Sequence, residues 1–310
     1  MIKDMRHKLF MTMCCLVSVS LASCSDWREI ESVNIDVKRP CDQAQELWSR
    51  YTAALRSYKQ TEHYILYARL ENSPSPQAGE KNYMRCLPDS LDIVSLTNAD
   101  NFSAKDSEDL AVMSEKGIKV LYQIDFASRV GELSDATKLG AYLDKVISSV
   151  KELGLDGFSF TGTARTDDSK TAELSRMMVE RLSAAKSDGQ ILAFEGNPRF
   201  ISKDDITKID YFVLDTEQTL NAQEIRFQVL EAVESLGIPS AKILLAAQAD
   251  GTVTDEDKVE NPALEEMADR VIAFGPLAGL AIYNMDTDYY HTGSNYSASR
   301  AVIQILNPSK

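Results

Sequence analysis

Three carboxylates follow successive apolar runs in the second half of the chain: Glu195 after ILAF, and Asp215 and Glu217 after YFVL. A pair of them at suitable separation would support glycosidic hydrolysis, one as general acid and the other as nucleophile or base. Their spacing forms no motif. A patterned stretch lies just upstream, Lys151 to Thr163, reading KELGLDGFSFTGT. It reads as a helix end, a turn at Gly154 and a short buried strand from Leu155 to about Thr161, with Gly157 allowing close backbone packing. Phe158 and Phe160 alternate there with Ser159 and Thr161, and Thr163 follows. A hydroxyl in these positions has neither a pKa near neutrality nor a proton to give, so the stretch carries no general acid.

The elements that would position these residues are short, mostly continuous apolar runs alternating with helical segments. The runs are Tyr64–Leu70, Ile93–Leu96, Lys119–Ile124, Leu155–Thr161, Ile191–Phe194, Tyr211–Leu214, Ile243–Ala247 and Leu280–Tyr283. Such runs suit strands of a parallel sheet buried on both faces. Helices are expected over Asp106–Lys116, Ser134–Leu153, Ser169–Ala185, Asn221–Leu236, Pro262–Val271 and Asn295–Leu306. Asp106, Ser134 and Asn221 are suitable N-caps, and Gly117, Gly154 and Gly237 suit the position after a helix end. The link Asn72–Pro88 reads as a loop. Eight strands with intervening helices make a single α/β domain, a (β/α)8 TIM barrel over residues 42–310. An N-terminal helix precedes it, capped by Asp42, with Leu47, Trp48, Tyr51, Leu55 and Tyr58 on one face.

The stretch DGFSFTGT resembles the DGxDxDxE signature of family 18 glycoside hydrolases, laid along the fourth strand of a TIM barrel. Asp156 and Gly157 match its opening, while Ser159, Thr161 and Thr163 replace two Asp and the catalytic Glu. DSLDIVSL (89–96), EKGIKVLYQI (115–124) and GLAIYNMDTDYY (279–290) resemble the endo-β-N-acetylglucosaminidase branch of that family. The resemblance implies substrate-assisted chemistry, in which the Glu protonates the glycosidic oxygen and an Asp orients the substrate acetamide. With both replaced, no catalytic residue is expected here, and losing the acid alone forfeits roughly 10²–10⁴-fold in rate. Kinship with Bacteroidetes glycan-uptake lipoproteins is also implied, and with it partnership with an outer-membrane glycan transporter.

In such a barrel the ligand lies over the C-terminal strand ends. The residues placed there are Gln123, Asp125, Thr161, Thr163, Glu195, Asn197, Asp215, Glu217, Gln248, Asp250, Tyr283, Asn284 and Asp286. They form a polar ring suited to sugar hydroxyls, with Tyr283 as the floor of a pyranose subsite. Tyr289 and Tyr290 lie just beyond and would either line a loop wall or staple the loop down.

The chain has 310 residues and a formal net charge of −14. Its first 23 residues carry Lys3, Arg6 and Lys8 against Asp4, which leaves the remainder near −16. An acidic surface argues against nucleic acid and anionic membrane as partners. Residues 1–23 read as a signal segment, with a basic start and an apolar run from Leu9 to Ser20 too short to span a bilayer. Leu21-Ala22-Ser23-Cys24 resembles a bacterial lipobox, so Cys24 is the expected lipidation site, followed by a tether over 24–41. That places the protein in the cell envelope, as a surface-exposed outer-membrane lipoprotein. Cys41 and Cys86 remain, and a disulfide between them and two lone thiols are both open readings. No metal or cofactor is expected. Three functions are weighed: an inactive glycan binder, a glycosidase with a relocated catalytic set, and a structural or partner-binding lipoprotein with a vestigial pocket.

Overall fold

The computed structural model describes residues 44–76, 79–163, 169–219, 221–255 and 257–309. The signal segment, Cys24, the tether, Cys41 and the Asp42 cap lie outside them. Ser49–Lys310 form one compact unit. Its centre is a closed barrel of eight parallel strands, as the pattern of runs predicts. These are β1 (Ile65–Leu70), β2 (Ile93–Leu96), β3 (Lys119–Ile124), β4 (Gly157–Gly162), β5 (Ile191–Gly196), β6 (Tyr211–Leu214), β7 (Ile243–Gln248) and β10 (Gly279–Tyr283). A small antiparallel hairpin, β8 (Thr252–Thr254) and β9 (Glu260–Pro262), is inserted before β10. No periodicity announces it.

The helices are α1 (Gln45–Tyr58), α2 (Ala104–Lys116), the short α3 (Phe126–Arg129), α4 (Ala136–Leu153), α5 (Ser169–Ala185), α6 (Ala222–Leu230), α7 (Ala263–Ala273) and α8 (Ser297–Leu306). α3 is absent from the sequence reading because one helical turn leaves no periodic signal. Two expected caps shift by a few residues. Ser103, not Asp106, caps α2, and Asp106 bonds back to the Ser103 amide to complete a capping box. Asp135, not Ser134, caps α4, while Asn221 caps α6 as expected. Gly117, Gly154 and Gly237 all adopt left-handed backbone. On α1 Leu47 and Tyr51 are exposed, while Trp48, Leu55 and Tyr58 of the expected apolar face are half-buried.

Strand alternation splits the core into two clusters. Phe158, Phe160, Phe194 and Phe212 pack outward with helix residues such as Leu143, Val146, Met178 and Leu182. Tyr67, Ile93, Leu121, Ala193, Val213, Leu244, Ala246, Ala281 and Tyr283 fill the barrel interior. This parity settles the register of β4: Ser159 and Thr161 face inward and the two Phe face the helices.

At the N-terminal end of the barrel an acid precedes β2, β4 and β6. Asp92, Asp156 and Asp210 accept the amides of Leu66 (2.8 Å), Val120 (3.0 Å) and Leu192 (2.8 Å) from the preceding strands. Each also pairs with a lysine: Lys59, Lys119 and Lys186 respectively. These carboxylates supply acceptors where the strand ladder begins. Asp156, the opening residue of the signature-like stretch, is therefore a staple between β3 and β4 at the N-terminal end of the barrel.

Gly157 makes the tightest backbone approach beside it. Its φ is +134°, and an added Cβ would lie 2.0 Å from the carbonyl oxygen of Ile191. Gly157→Ala combines a clash with backbone in a region closed to L side chains, and should cost about 3 kcal/mol or more of stability. Denaturant unfolding of the variant measures this. Wild-type stability would disprove the packing account.

Candidate functional site

The middle of the barrel is held by one buried carboxylate. Glu195, near the end of β5, is 1% exposed. Its Oε1 accepts from the Tyr67 hydroxyl (2.6 Å), Gln123 Nε2 (3.0 Å) and Ser95 Oγ (3.1 Å). Its Oε2 accepts from the Tyr283 hydroxyl (3.1 Å) and from Arg69 Nε. Ser95 spends its single hydrogen on Glu195, so Ser159 Oγ, 2.7 Å away, donates to Ser95. Burial pushes the Glu195 carboxyl up, but the Arg69 charge and the Tyr67, Gln123 and Arg69 bonds outweigh it and hold the group below the usual carboxylate range. Burial and the charge of Glu195 push the Tyr67 hydroxyl well above its ordinary value. Burial also drives the Tyr283 hydroxyl up, against the opposing pull of Arg69. Glu195 is thus ionised, fully bonded and without a proton to give. Expected at the rim, it lies beneath it as the anchor of the interior.

Arg69 and Glu195 face each other across the barrel, from β1 and β5. The Arg69 guanidinium also stacks on the Tyr283 ring, 3.7 Å from its centroid. Tyr283 is 5% exposed, and one ring face is taken by this cation. It is a wall of the site rather than an open floor for a sugar.

The expected ring divides into two halves. Over β3 to β5 the polar groups bond one another. Thr161 Oγ1 donates to Asp125 Oδ1 (2.9 Å) and accepts from the Ala127 amide (3.0 Å), while Asp125 accepts from the Ser128 amide to cap α3. Asn197 caps the turn Pro198–Phe200 through the Arg199 amide. Thr163 is exposed at the end of β4. None of these residues is among those that line the cleft on the other side of the barrel.

Over β1, β2, β6, β7 and β10 the strand ends open into a cleft of about 350 Å³. Glu217, Gln248, Tyr283, Asn284 and Asp286 line it, as the sequence predicts. Arg69, Leu70, Glu71, Thr97 and Met285 also line it and were not foreseen. The signal for Arg69 was present: it is the one charge inside YILYARL, at the inward parity set by Tyr67. Asn284 Nδ2 donates a 3.3 Å hydrogen bond to Gln248 Oε1. Asn284 holds φ +54°, a left-handed conformation that asparagine tolerates and that turns the chain over the cleft. The turn bearing Glu217 is pinned by Thr216, whose Oγ1 donates to the Ala246 carbonyl (2.8 Å) and accepts the Ala246 amide (2.7 Å). Asp215 does not line the cleft, and burial raises its carboxyl above the ordinary value. Asp250 is exposed. Two further hollows, of about 390 and 450 Å³, lie at the N-terminal end around Lys59 and Asp92 and around His63 and Pro276. That end of a barrel serves stability, whereas ligands collect at the C-terminal strand ends. Cys86 is a free, half-buried thiol. No group of metal-ligating side chains occurs among the described residues.

Glu195→Gln removes the only charge that offsets Arg69 in the interior and should cost about 3–5 kcal/mol. Because the folded-state pKa is lowered, the carboxylate's contribution is present above the unfolded value and disappears as pH falls through the folded one. The stability gap between wild type and variant should therefore close in acid. Unfolding measured from about pH 7 down to about pH 3 tests this, and a gap independent of pH would disprove it.

A family model described as Glycoside hydrolase family 18, BT1044-like, matches residues 28–139. The match ends within α4, before the stretch 156–163. Solved structures share the barrel. A selenomethionine Glu-to-Gln variant of BT1044 aligns with a TM-score of 0.65 at 18% identity, covering 86% of this chain and 97% of that one. The apo endo-beta-N-acetylglucosaminidase from Cordyceps militaris aligns at 0.65 and 17%, covering 84% and 96%. YKL-39, solved in the presence of chitooligosaccharides, aligns at 0.59 and 11%, covering 79% and 100%. At these identities the structural likeness is one of fold. No curated protein sequence matches the chain. The chain thus resembles glycoside hydrolase family 18 in sequence over residues 28–139 and shares its barrel fold with the solved structures.

Proposed function

We propose that this relative of family 18 is a non-hydrolysing glycan-binding protein that captures N-acetylglucosamine-containing chains, N-glycan or chitooligosaccharide, for uptake or degradation. What supports the reading is a polar cleft over the C-terminal strand ends together with hydroxyls, not carboxylates, at positions 161 and 163. Position 163, where the family acid belongs, is Thr163, and the acetamide-orienting position is Thr161, whose hydroxyl is spent on Asp125 and the Ala127 amide. The one interior carboxylate near them, Glu195, is ionised and bonded by five donors. The cleft is at the small end of the range for ligand pockets, roughly 300–1,000 Å³, and suits one or two sugar rings. Gln248, Asn284 and the outward edge of Arg69 supply donors and acceptors for sugar hydroxyls or an acetamide carbonyl.

The same reading places the protein on the cell envelope, held by acylation at Cys24 and working beside an outer-membrane glycan transporter. Cys24→Ser should abolish acyl labelling and release the protein from the membrane fraction. Retention of label in the variant would remove the anchor from the proposal.

An enzymatic alternative rests on Asp215. Its carboxyl is raised by burial, the direction a general acid needs, and it stands two residues from the cleft-lining Glu217. Calorimetry against N-glycans and chitooligosaccharides, with product release followed by mass spectrometry, separates the readings. Binding without cleavage is expected, with Gln248→Ala and Asn284→Ala each weakening it roughly three- to tenfold. Cleavage abolished by Asp215→Asn would replace the binder with the enzyme. Absence of both binding and cleavage would leave a partner-binding lipoprotein.

A further inference from the structure

Inside the cleft no aromatic face lies open, because Arg69 covers Tyr283. Pyranose rings present both hydroxyl edges and an apolar C–H face, and proteins that hold them match each with its own kind of surface. The open aromatic face is found one turn beyond the cleft. Tyr290 is 68% exposed, more than any other described aromatic side chain. Its ring is nevertheless held in place: it meets Tyr289 at 4.6 Å and 88°. Tyr289 is buried, donates its hydroxyl to Glu80 (2.7 Å) and packs edge-on against Tyr296 at 5.2 Å. The Tyr290 hydroxyl lies above Gly79, where an added Cβ would come within 3.1 Å of it, so the facing loop leaves room for the ring.

The ring lies over the turn that reaches the cleft. Its hydroxyl sits by Gly79, two residues before Lys81, and Lys81 pairs at 2.8 Å with Asp286, which lines the cleft. We propose that the binding site continues from the cleft across the Lys81–Asp286 pair onto the ring of Tyr290, and that the ligand is an oligosaccharide with a second or later unit stacked there. This deepens the glycan-binding reading and rests on it. A pre-ordered ring loses little conformational freedom on binding, so the stacking contact is retained as affinity.

Calorimetry of wild type, Tyr290→Ala and Tyr290→Phe with chitooligosaccharides of increasing length, from one unit upward, tests the extension. Wild-type affinity should rise with length. Tyr290→Ala should lose that rise, weakening the longer chains roughly fivefold while leaving the single unit unchanged, and Tyr290→Phe should behave as wild type. Binding that is independent of length in wild type, or a loss in Tyr290→Ala that is equal at all lengths or absent, overturns this inference and leaves the cleft reading intact. Failure of wild type to bind any length overturns both.

Discussion

A carboxylate buried at the centre of a barrel is tolerable only if its charge is met and its lone pairs are filled. Glu195 meets both demands through Arg69 and four neutral donors, and much of the interior follows from that requirement. Tyr67 and Tyr283 must point their hydroxyls inward, Ser95 and Gln123 must occupy the neighbouring strands, and Ser159 must back up Ser95. The second signature position is thereby drawn into the anchor's support. Arg69, fixed by its Nε to Glu195, is left lying over Tyr283, and this settles the character of the cleft above it.

The two ends and two sides of the barrel have divided their tasks. At the N-terminal end, Asp92, Asp156 and Asp210 join successive strand pairs and add a lysine each. At the C-terminal end, the sector over β3 to β5 closes on itself through Asp125, Thr161 and the α3 amides. The sector from β6 through β10 to β2 opens into the cleft. Polar side chains at the ends of β3 to β5 bond one another, while those on the opposite side line the cleft. A fold hosts function only through such a site.

Eight apolar runs, their alternation with helices and the glycines after the helices determined the barrel from sequence alone, because strand and helix periods are local properties of the chain. The alternation Phe158, Ser159, Phe160, Thr161 likewise determined that hydroxyls, not carboxylates, face inward on β4. Two caps and the α3 turn escaped because adjacent polar residues compete for one cap and a single turn has no period. What only the tertiary structure decided involves residues far apart in the chain. Arg69 and Glu195 are 126 positions apart, and nothing local in YILYARL or ILAFEG marks them as partners. Barrel closure sets β1 beside β10, which brings Arg69 onto Tyr283 and turns an expected sugar floor into a covered wall. The same closure decides which half of a uniform-looking polar ring is spent on itself and which half meets solvent. Sequence spacing reports the face of a strand, whereas occupancy of that face depends on the neighbours that folding delivers.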